Sequence, residues 1–187
     1  MQKLKQWFLI WLLILIAGLV LYAIFGPQGK RLDWSKIDYS MNSSSQLYFK
    51  NMRSYFYEQE VFEEGNYILH RIKSRNTDSV LNKLSIVIVQ NVIQDAAFIR
   101  LESGMLDLDE EKMILTWQQE KREGKLVLEN STNEAHYTFA AQLYNLLEAN
   151  AKLWLILDGQ KMELSEKEKK SLRKSLGDYF KLVGKVY

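Results

Sequence analysis

The residues best suited to acid–base chemistry are the chain's two histidines, His70 and His136. A histidine titrates near neutral pH and can serve as a general base. His70 lies between Ile68 and Ile72 on one face of a predicted strand, and His136 falls in the first turn of a predicted helix. Because both have apolar neighbours, a hydrogen-bonded structural role is the simpler interpretation. A membrane-tethered hydrolase or transferase that pairs one histidine with an Asp or Glu is the alternative.

Acidic residues alternate at Asp107, Asp109 and Glu111, as the ligands of a calcium loop do. If Asp107 is position one, Lys112 occupies the place of the required glycine and Gln118 that of the bidentate glutamate. The pattern therefore predicts an exposed acidic connection. The sequence also lacks an H-x-x-x-H pair, a phosphate-binding loop, a dinucleotide fingerprint and a nucleophile elbow. We predict no catalytic, cofactor-binding or metal-binding residues.

Composition removes several functional classes. The chain has no cysteine, which excludes disulfides, thiolate zinc sites and cysteine nucleophiles. It has 25 Lys and Arg and 23 Asp and Glu. Lys3 and Lys5 precede the first apolar run, so the remainder is balanced in charge. Nucleic-acid binders concentrate positive charge, and this balance argues against a nucleic-acid partner.

A long apolar run from Trp7 to Phe25 predicts a transmembrane helix. It contains no charged residue and approaches the roughly 20 residues that a helix needs to cross a bilayer. A cleavable signal peptide has a shorter apolar region and a small-x-small exit, whereas this exit places Leu21 and Ile24 around Ala23. We therefore expect an uncleaved anchor that places the chain in the lipid bilayer.

Flanking charges predict the orientation of this anchor. Lys3 and Lys5 lie in the short tail 1–6 and favour a cytoplasmic amino terminus, which puts the domain on the extracytoplasmic side. A small, polar stretch follows the apolar run, and we predict a tether over residues 26–46. Residues 47–187 then form one globular domain.

The pattern beyond the tether predicts an α+β domain with a mainly antiparallel sheet and two or three amphipathic helices. The predicted strands are 67–74, 84–89, 96–102, 113–117, 125–129, 152–157 and 161–164. Ser131 with Glu134, and Ser165 with Glu168, have the spacing of capping boxes and predict two helix starts. Gly177 interrupts the second of these helices and predicts a break.

Aromatic residues crowd the stretch from Leu47 to Glu60, which we predict to be a helix. Burial of these rings against the sheet is the simpler interpretation. Because aromatics and arginine anchor many interfaces, the same stretch is our candidate partner-binding patch. Its members are Tyr48, Arg53, Tyr55 and Tyr57.

Basic residues recur on the last predicted helix and suggest contact with anionic lipid headgroups. The candidates are Lys167, Lys170, Arg173 and Lys174. A solvated polar face is the simpler interpretation of this run. Taken together, the sequence favours a single-pass membrane protein whose domain binds a protein partner in the membrane or envelope. The tethered enzyme and a lipid-headgroup sensor are the two alternatives.

Overall fold

The computed structural model describes residue 15 and residues 36–75, 83–108 and 111–185. The predicted tail 1–6 and the predicted membrane segment, apart from Leu15, lie outside these residues, as do residues 26–35 of the tether. No helix within the described ranges is both long and apolar enough to cross a bilayer. Within the compact unit Leu32–Val186, the described residues have an α+β fold with antiparallel sheets and three α-helices.

The first sheet is an antiparallel meander of four strands in the order β1-β2-β3-β4. The strands are β1 (Tyr57–Phe62), β2 (Tyr67–Ile72), β3 (Ser85–Asn91) and β4 (Ala96–Glu102). Alternation in β2 and the β-branched run in β3 explain why the sequence predicts both strands. The predictions for β2, β3 and β4 are confirmed.

The second sheet has the order β6-β5-β7-β8 and is also antiparallel. Its strands are β5 (Met113–Gln119), β6 (Arg122–Leu128), β7 (Lys152–Leu157) and β8 (Gln160–Glu163). Asp158 and Gly159 both have positive φ, 49° and 77°, and form the tight turn between β7 and β8 that the sequence predicts.

The expectation of a single sheet is wrong, because the outer edge of β4 is already occupied. The Ala97 N–H donates to the carbonyl of Tyr39 at 2.8 Å, and the Leu101 N–H donates to Nδ1 of His136 at 3.2 Å. These contacts use backbone groups that a neighbouring strand would need. The chain after β4 therefore starts a new sheet.

Three α-helices complete the described fold: α1 (Ser43–Tyr48), α2 (Asn133–Glu148) and α3 (Glu166–Leu182). The capping box of Ser165 and Glu168 is confirmed at the start of α3. At α2 the predicted cap is wrong by one residue, because the Thr132 side chain accepts from Ala135 while the Ser131 hydroxyl donates to the Leu108 carbonyl. The predicted break at Gly177 is wrong, because α3 runs through it.

The predicted helix from Leu47 to Glu60 is correct only at its beginning. It ends at Tyr48, continues as a π-helical turn (Phe49–Arg53) and a 3₁₀ turn (Ser54–Phe56), and then becomes β1. The second half of the predicted helix is a strand because residues 57–62 pair with β2. The folded part also begins before Leu47, since Met41 is buried and Asn42 caps α1.

The core lies between the inner faces of the two sheets and the helices α2 and α3. Its centre is an aromatic cluster in which the Tyr137, Tyr179 and Phe180 rings meet edge-on, with centroids 5.1–6.3 Å apart. Each ring is at most 1% exposed. Burial of one such side chain contributes about 1.5–3 kcal/mol to folding.

Candidate functional site: an aromatic and basic surface beside an apolar groove

Two of the predicted partner-binding residues hold the domain together. The Arg53 guanidinium forms two hydrogen bonds with the Asp178 carboxylate of α3, from Nε at 2.7 Å and from an NH2 group at 2.8 Å. The Tyr57 hydroxyl donates to the same carboxylate at 2.6 Å. Because Tyr57 is only 3% exposed, it is an internal residue that joins β1 to α3.

The electrostatics of this cluster match its geometry. Burial raises the pKa of Tyr57, and the adjacent negative charge of Asp178 raises it further. Hydrogen bonding to Asp178 raises the pKa of Arg53. Both shifts keep the donors protonated, so the cluster remains a phenol and a guanidinium around one carboxylate. Its role is to fix the turn 49–56 against α3.

The other two predicted partner-binding residues reach solvent. Tyr55 is 79% exposed and Tyr48 is 37% exposed. Met52, between them in the sequence, is 62% exposed. These side chains expose apolar area to solvent next to the cluster of Arg53, Tyr57 and Asp178. They are therefore accessible to another molecule.

Each exposed ring of this segment has a cation over it. Lys181 Nζ lies 4.3 Å from the Tyr48 ring centroid, and Lys73 Nζ lies 5.0 Å from that of Tyr55. Lys174 Nζ lies 3.5 Å from the centroid of Phe56. Such contacts are attractive because a ring face carries partial negative charge. We call this surface the aromatic–basic face: Tyr48, Tyr55, Phe56, Lys73, Lys174 and Lys181.

Three of the four predicted lipid-headgroup residues extend this face along α3. Lys167, Lys170 and Lys174 are separated by three and four residues, which places them on one flank of the helix, and Lys181 lies two turns further on. Lys167 and Lys170 are exposed. Burial and the nearby Arg53 charge lower the pKa of Lys174.

Arg173, the fourth predicted lipid-headgroup residue, lies on the opposite flank of α3. Its guanidinium donates to the Leu147 carbonyl and, at 2.9 Å, to the Asn150 side chain. It also lies 3.4 Å from the Glu148 carboxylate. Arg173 therefore satisfies the C-terminal end of α2, as basic residues commonly do, and does not belong to the aromatic–basic face.

An apolar groove of about 420 Å³ lies on the other side of α1. It is lined by Ser43, Gln46, Leu47, Phe49, Lys50, Ser54, Gln59, Ile68, His70, Gln90 and Val92. Leu47 is 60% exposed and Val92 is 51% exposed at its margins. A concave, largely apolar surface with a few polar groups is typical of binding sites.

His70 forms part of the groove floor. It is 3% exposed, its Nε2 lies 3.2 Å from the Gln90 Oε1, and its ring meets Phe49 edge-on. Burial lowers the pKa of His70. None of the residues that line the groove is an Asp or Glu. A histidine base is commonly oriented by a carboxylate or a carbonyl, and in this groove that partner is the Gln90 amide oxygen rather than a carboxylate.

His136 lines a wider cavity of about 960 Å³, on the far side of the first sheet, together with Glu102, Asp107 and Glu111. A histidine and carboxylates therefore share one cavity, as the enzyme alternative requires. The Nδ1 of His136, however, accepts the Leu101 N–H, so the neutral ring carries its proton on Nε2. A general base needs an unprotonated nitrogen that faces the substrate. In this arrangement His136 acts as a structural acceptor.

The described residues contain no group of three or more His, Asp or Glu side chains placed to hold a metal ion. Asp107 and Glu111 of the predicted acidic connection lie at the mouth of the wider cavity, and Asp109 lies outside the described residues.

Comparison of the chain with known protein families, with characterised proteins and with solved structures gives no match.

Sequence reasoning missed the residues that join the two predicted surfaces. Asp178 of α3 pairs with Arg53, and Lys181 of α3 lies over the Tyr48 ring. Neither is among the predicted site residues. Helical spacing from Lys174 could have identified both positions. Leu47 and Val92 were also missed, because they meet at the groove from segments far apart in the chain.

Proposed function

We propose that this protein is a single-pass membrane protein whose α+β domain binds another protein of the same membrane or envelope. The apolar run from Trp7 to Phe25 serves as the anchor, with the amino terminus in the cytoplasm and the domain on the other side. Lys3 and Lys5 support that orientation, because positive charge at a short tail resists translocation.

The observation that carries this proposal is where the domain exposes large apolar side chains. Apart from Leu15, they fall in the described ranges on two segments, residues 47–62 and 92–93. These are Leu47, Tyr48, Met52, Tyr55, Phe56, Val61, Phe62, Val92 and Ile93. Scattered apolar residues are normal on a surface, whereas their concentration on two short segments is typical of an interaction site. Leu47 and Val92, one from each segment, line the groove.

Strand β1 borders this surface and is an open edge of the first sheet among the described residues. The Lys73 N–H donates to the Phe56 carbonyl, and residues alternate in an antiparallel pair. Glu58 and Glu60 therefore bond to β2, while Gln59 and Val61 direct their backbone groups away from it. An extended segment can add to such an edge by backbone hydrogen bonds.

The side chains beside this edge indicate the chemistry of the partner segment. Gln59 lines the groove, and Val61, next to it on the same side of β1, is 63% exposed. Glu58 and Glu60 point to the other side and are paired with Arg75 and Arg71. We infer that the partner contributes an extended segment whose alternate side chains are apolar and fill the groove.

A recovery experiment in detergent tests the proposal. Leu47→Asp and Val92→Asp place charge in the groove margin at exposed positions, where surface substitutions change stability by only about 0.5 kcal/mol. We expect each to lower recovery of the bound partner about tenfold or more, since burial of an unpaired charge costs at least about 1.4 kcal/mol.

Gln118→Asp and Gln160→Asp are the matched controls, because both are exposed positions on the second sheet and introduce the same charge. The partner assignment requires a discrete protein that is recovered with the wild type and with both controls and is lost with both groove variants. Equal recovery by all five proteins would contradict it.

A further inference from the structure

The aromatic–basic face lies outside the groove and has a different chemistry. We propose that this face docks onto the anionic headgroups of the bilayer that carries the predicted membrane segment. The inference uses the predicted anchor but does not depend on a protein partner in the groove. It also sets the orientation of the domain, with the basic flank of α3 lying along the membrane surface.

The charge of the face is the first argument. One flank of α3 carries four lysines: Lys167, Lys170, Lys174 and Lys181. Lys73, just after β2, lies beside Lys174. The carboxylate on the same flank, Asp178, is held by Arg53 and Tyr57. A surplus of cations therefore gathers on one surface of a domain whose total charge is balanced. Anionic lipid surfaces attract such clusters.

The rings and Met52 are the second argument. Tyr48, Tyr55 and Phe56 lie under cations, and Met52 of the same segment is 62% exposed. Aromatic side chains favour the level of the headgroups, where one end is apolar and the other is wet. Lysine side chains cover apolar surface with their stems and keep the ammonium group at the interface. The face thus combines both components of a lipid-binding surface.

Labelling of the full chain tests the docking directly, because a chain without cysteine accepts one unique label. Met52→Cys carries a fluorophore on the face, and Gln118→Cys carries it on the second sheet as the control. Both proteins are reconstituted in vesicles of phosphatidylcholine, with or without phosphatidylglycerol, that contain a headgroup nitroxide lipid as quencher. We expect quenching at position 52 in the anionic vesicles and none at position 118.

Two further measurements separate lipid docking from other contacts. Salt at about 0.5 M shortens the Debye length to roughly 4 Å, and we expect it to abolish the quenching. Lys167→Ala and Lys170→Ala should each lower the ratio of docked to undocked protein about fivefold. Lys121→Ala in the turn between β5 and β6 and Lys125→Ala on β6 are at exposed positions, remove the same charge and should leave that ratio unchanged.

Three outcomes would overturn the proposal. The first is equal quenching at positions 52 and 118 in anionic vesicles. The second is quenching that is the same in neutral lipid and insensitive to salt, which would indicate a purely apolar contact. The third is a label at position 52 that is shielded from water but is not quenched by the lipid. If that shielding increased with the density of protein in the vesicles, the face would be assigned to a second copy of the chain.

Discussion

Two aromatic clusters in the described part of the chain use the same residue types in opposite ways. In the core, Tyr137, Tyr179 and Phe180 are buried and meet edge-on. On the aromatic–basic face, Tyr48 and Tyr55 are exposed and contact lysines. The first cluster stabilises the fold, and the second is placed to contact something outside the domain.

Local backbone structure accounts for this difference. α2 and α3 are long, regular helices of 16 and 17 residues whose apolar stripes point steadily at the sheets. The segment from Tyr48 to Phe56 changes from α to π to 3₁₀ geometry within a few residues. Each change rotates the following side chains, so only Phe49 and Tyr57 turn inward and the rings between them remain outside.

Removal of one ring from each cluster should give the largest contrast. Phe180 is 0% exposed, and we expect Phe180→Ala to lower the free energy of unfolding by about 3–5 kcal/mol, because it leaves a cavity. Phe56→Ala removes the same atoms from the surface and should cost about 1 kcal/mol or less. Denaturant unfolding of the full chain in detergent compares the two, and equal losses would contradict the distinction.

The cluster of Arg53, Tyr57 and Asp178 joins β1 and the turn before it to α3. Its loss should cause the next largest decrease in the free energy of unfolding. Asp178→Ala leaves the Arg53 guanidinium and the Tyr57 hydroxyl without their acceptor, and we expect a loss of about 2–3 kcal/mol. Tyr57→Phe removes only one hydrogen bond and should cost about 1 kcal/mol. The same unfolding measurement ranks them. If Tyr57→Phe lowered the free energy of unfolding as much as Asp178→Ala, the Tyr57 hydrogen bond rather than the Arg53–Asp178 ion pair would be the stabilising contact.

Substitution of Gly177 should increase the stability of the domain. A Cβ at this position would lie 3.5 Å from the Tyr144 hydroxyl, an ordinary contact, and α3 is regular there. Gly177→Ala should therefore stabilise the domain by about 0.5–1 kcal/mol. Gly159→Ala is the control, because φ is 77° at that turn and alanine is strained there. If Gly177→Ala destabilised the protein, α3 would need its flexibility.

A change of pH should produce the smallest effect, through the floor of the groove. Burial lowers the pKa of His70 below its ordinary value of 6.5, so the unfolded chain binds the proton more readily. Stability from this group is present above pH 6.5 and decreases as the pH falls toward the folded-state pKa. We expect His70→Gln to flatten the pH dependence of the unfolding midpoint in that window. An unchanged slope would show that His70 does not titrate on unfolding.

Much of the fold could be predicted because its signals are local. The alternation in β2, the β-branched run in β3, the Asp158-Gly159 turn and the Ser165 cap each lie within a few residues of the chain. The stretch 47–60 could not be assigned in the same way, because Tyr48, Met52 and Tyr55 fit a helix while Tyr57, Gln59 and Val61 fit a strand.

The arrangement of the candidate site depends on contacts that sequence spacing does not contain. Arg53 and Asp178 are 125 residues apart, and the sequence offers no sign that they meet. Without that contact, the aromatic patch and the basic helix were predicted as two separate surfaces. The second sheet was missed for a similar reason, because only the fold brings Tyr39 and His136 to the edge of β4.

Photo-crosslinking in the native membrane tests the central claim, that the apolar groove beside β1 is the site of a protein partner. A photoreactive side chain replaces Val61 in one protein and Gln160 in another, both of them exposed edge-strand positions. We predict one discrete adduct from position 61 that Leu47→Asp abolishes, and no such adduct from position 160. The same adducts from both positions, or none from position 61 while the protein stays folded, would contradict it.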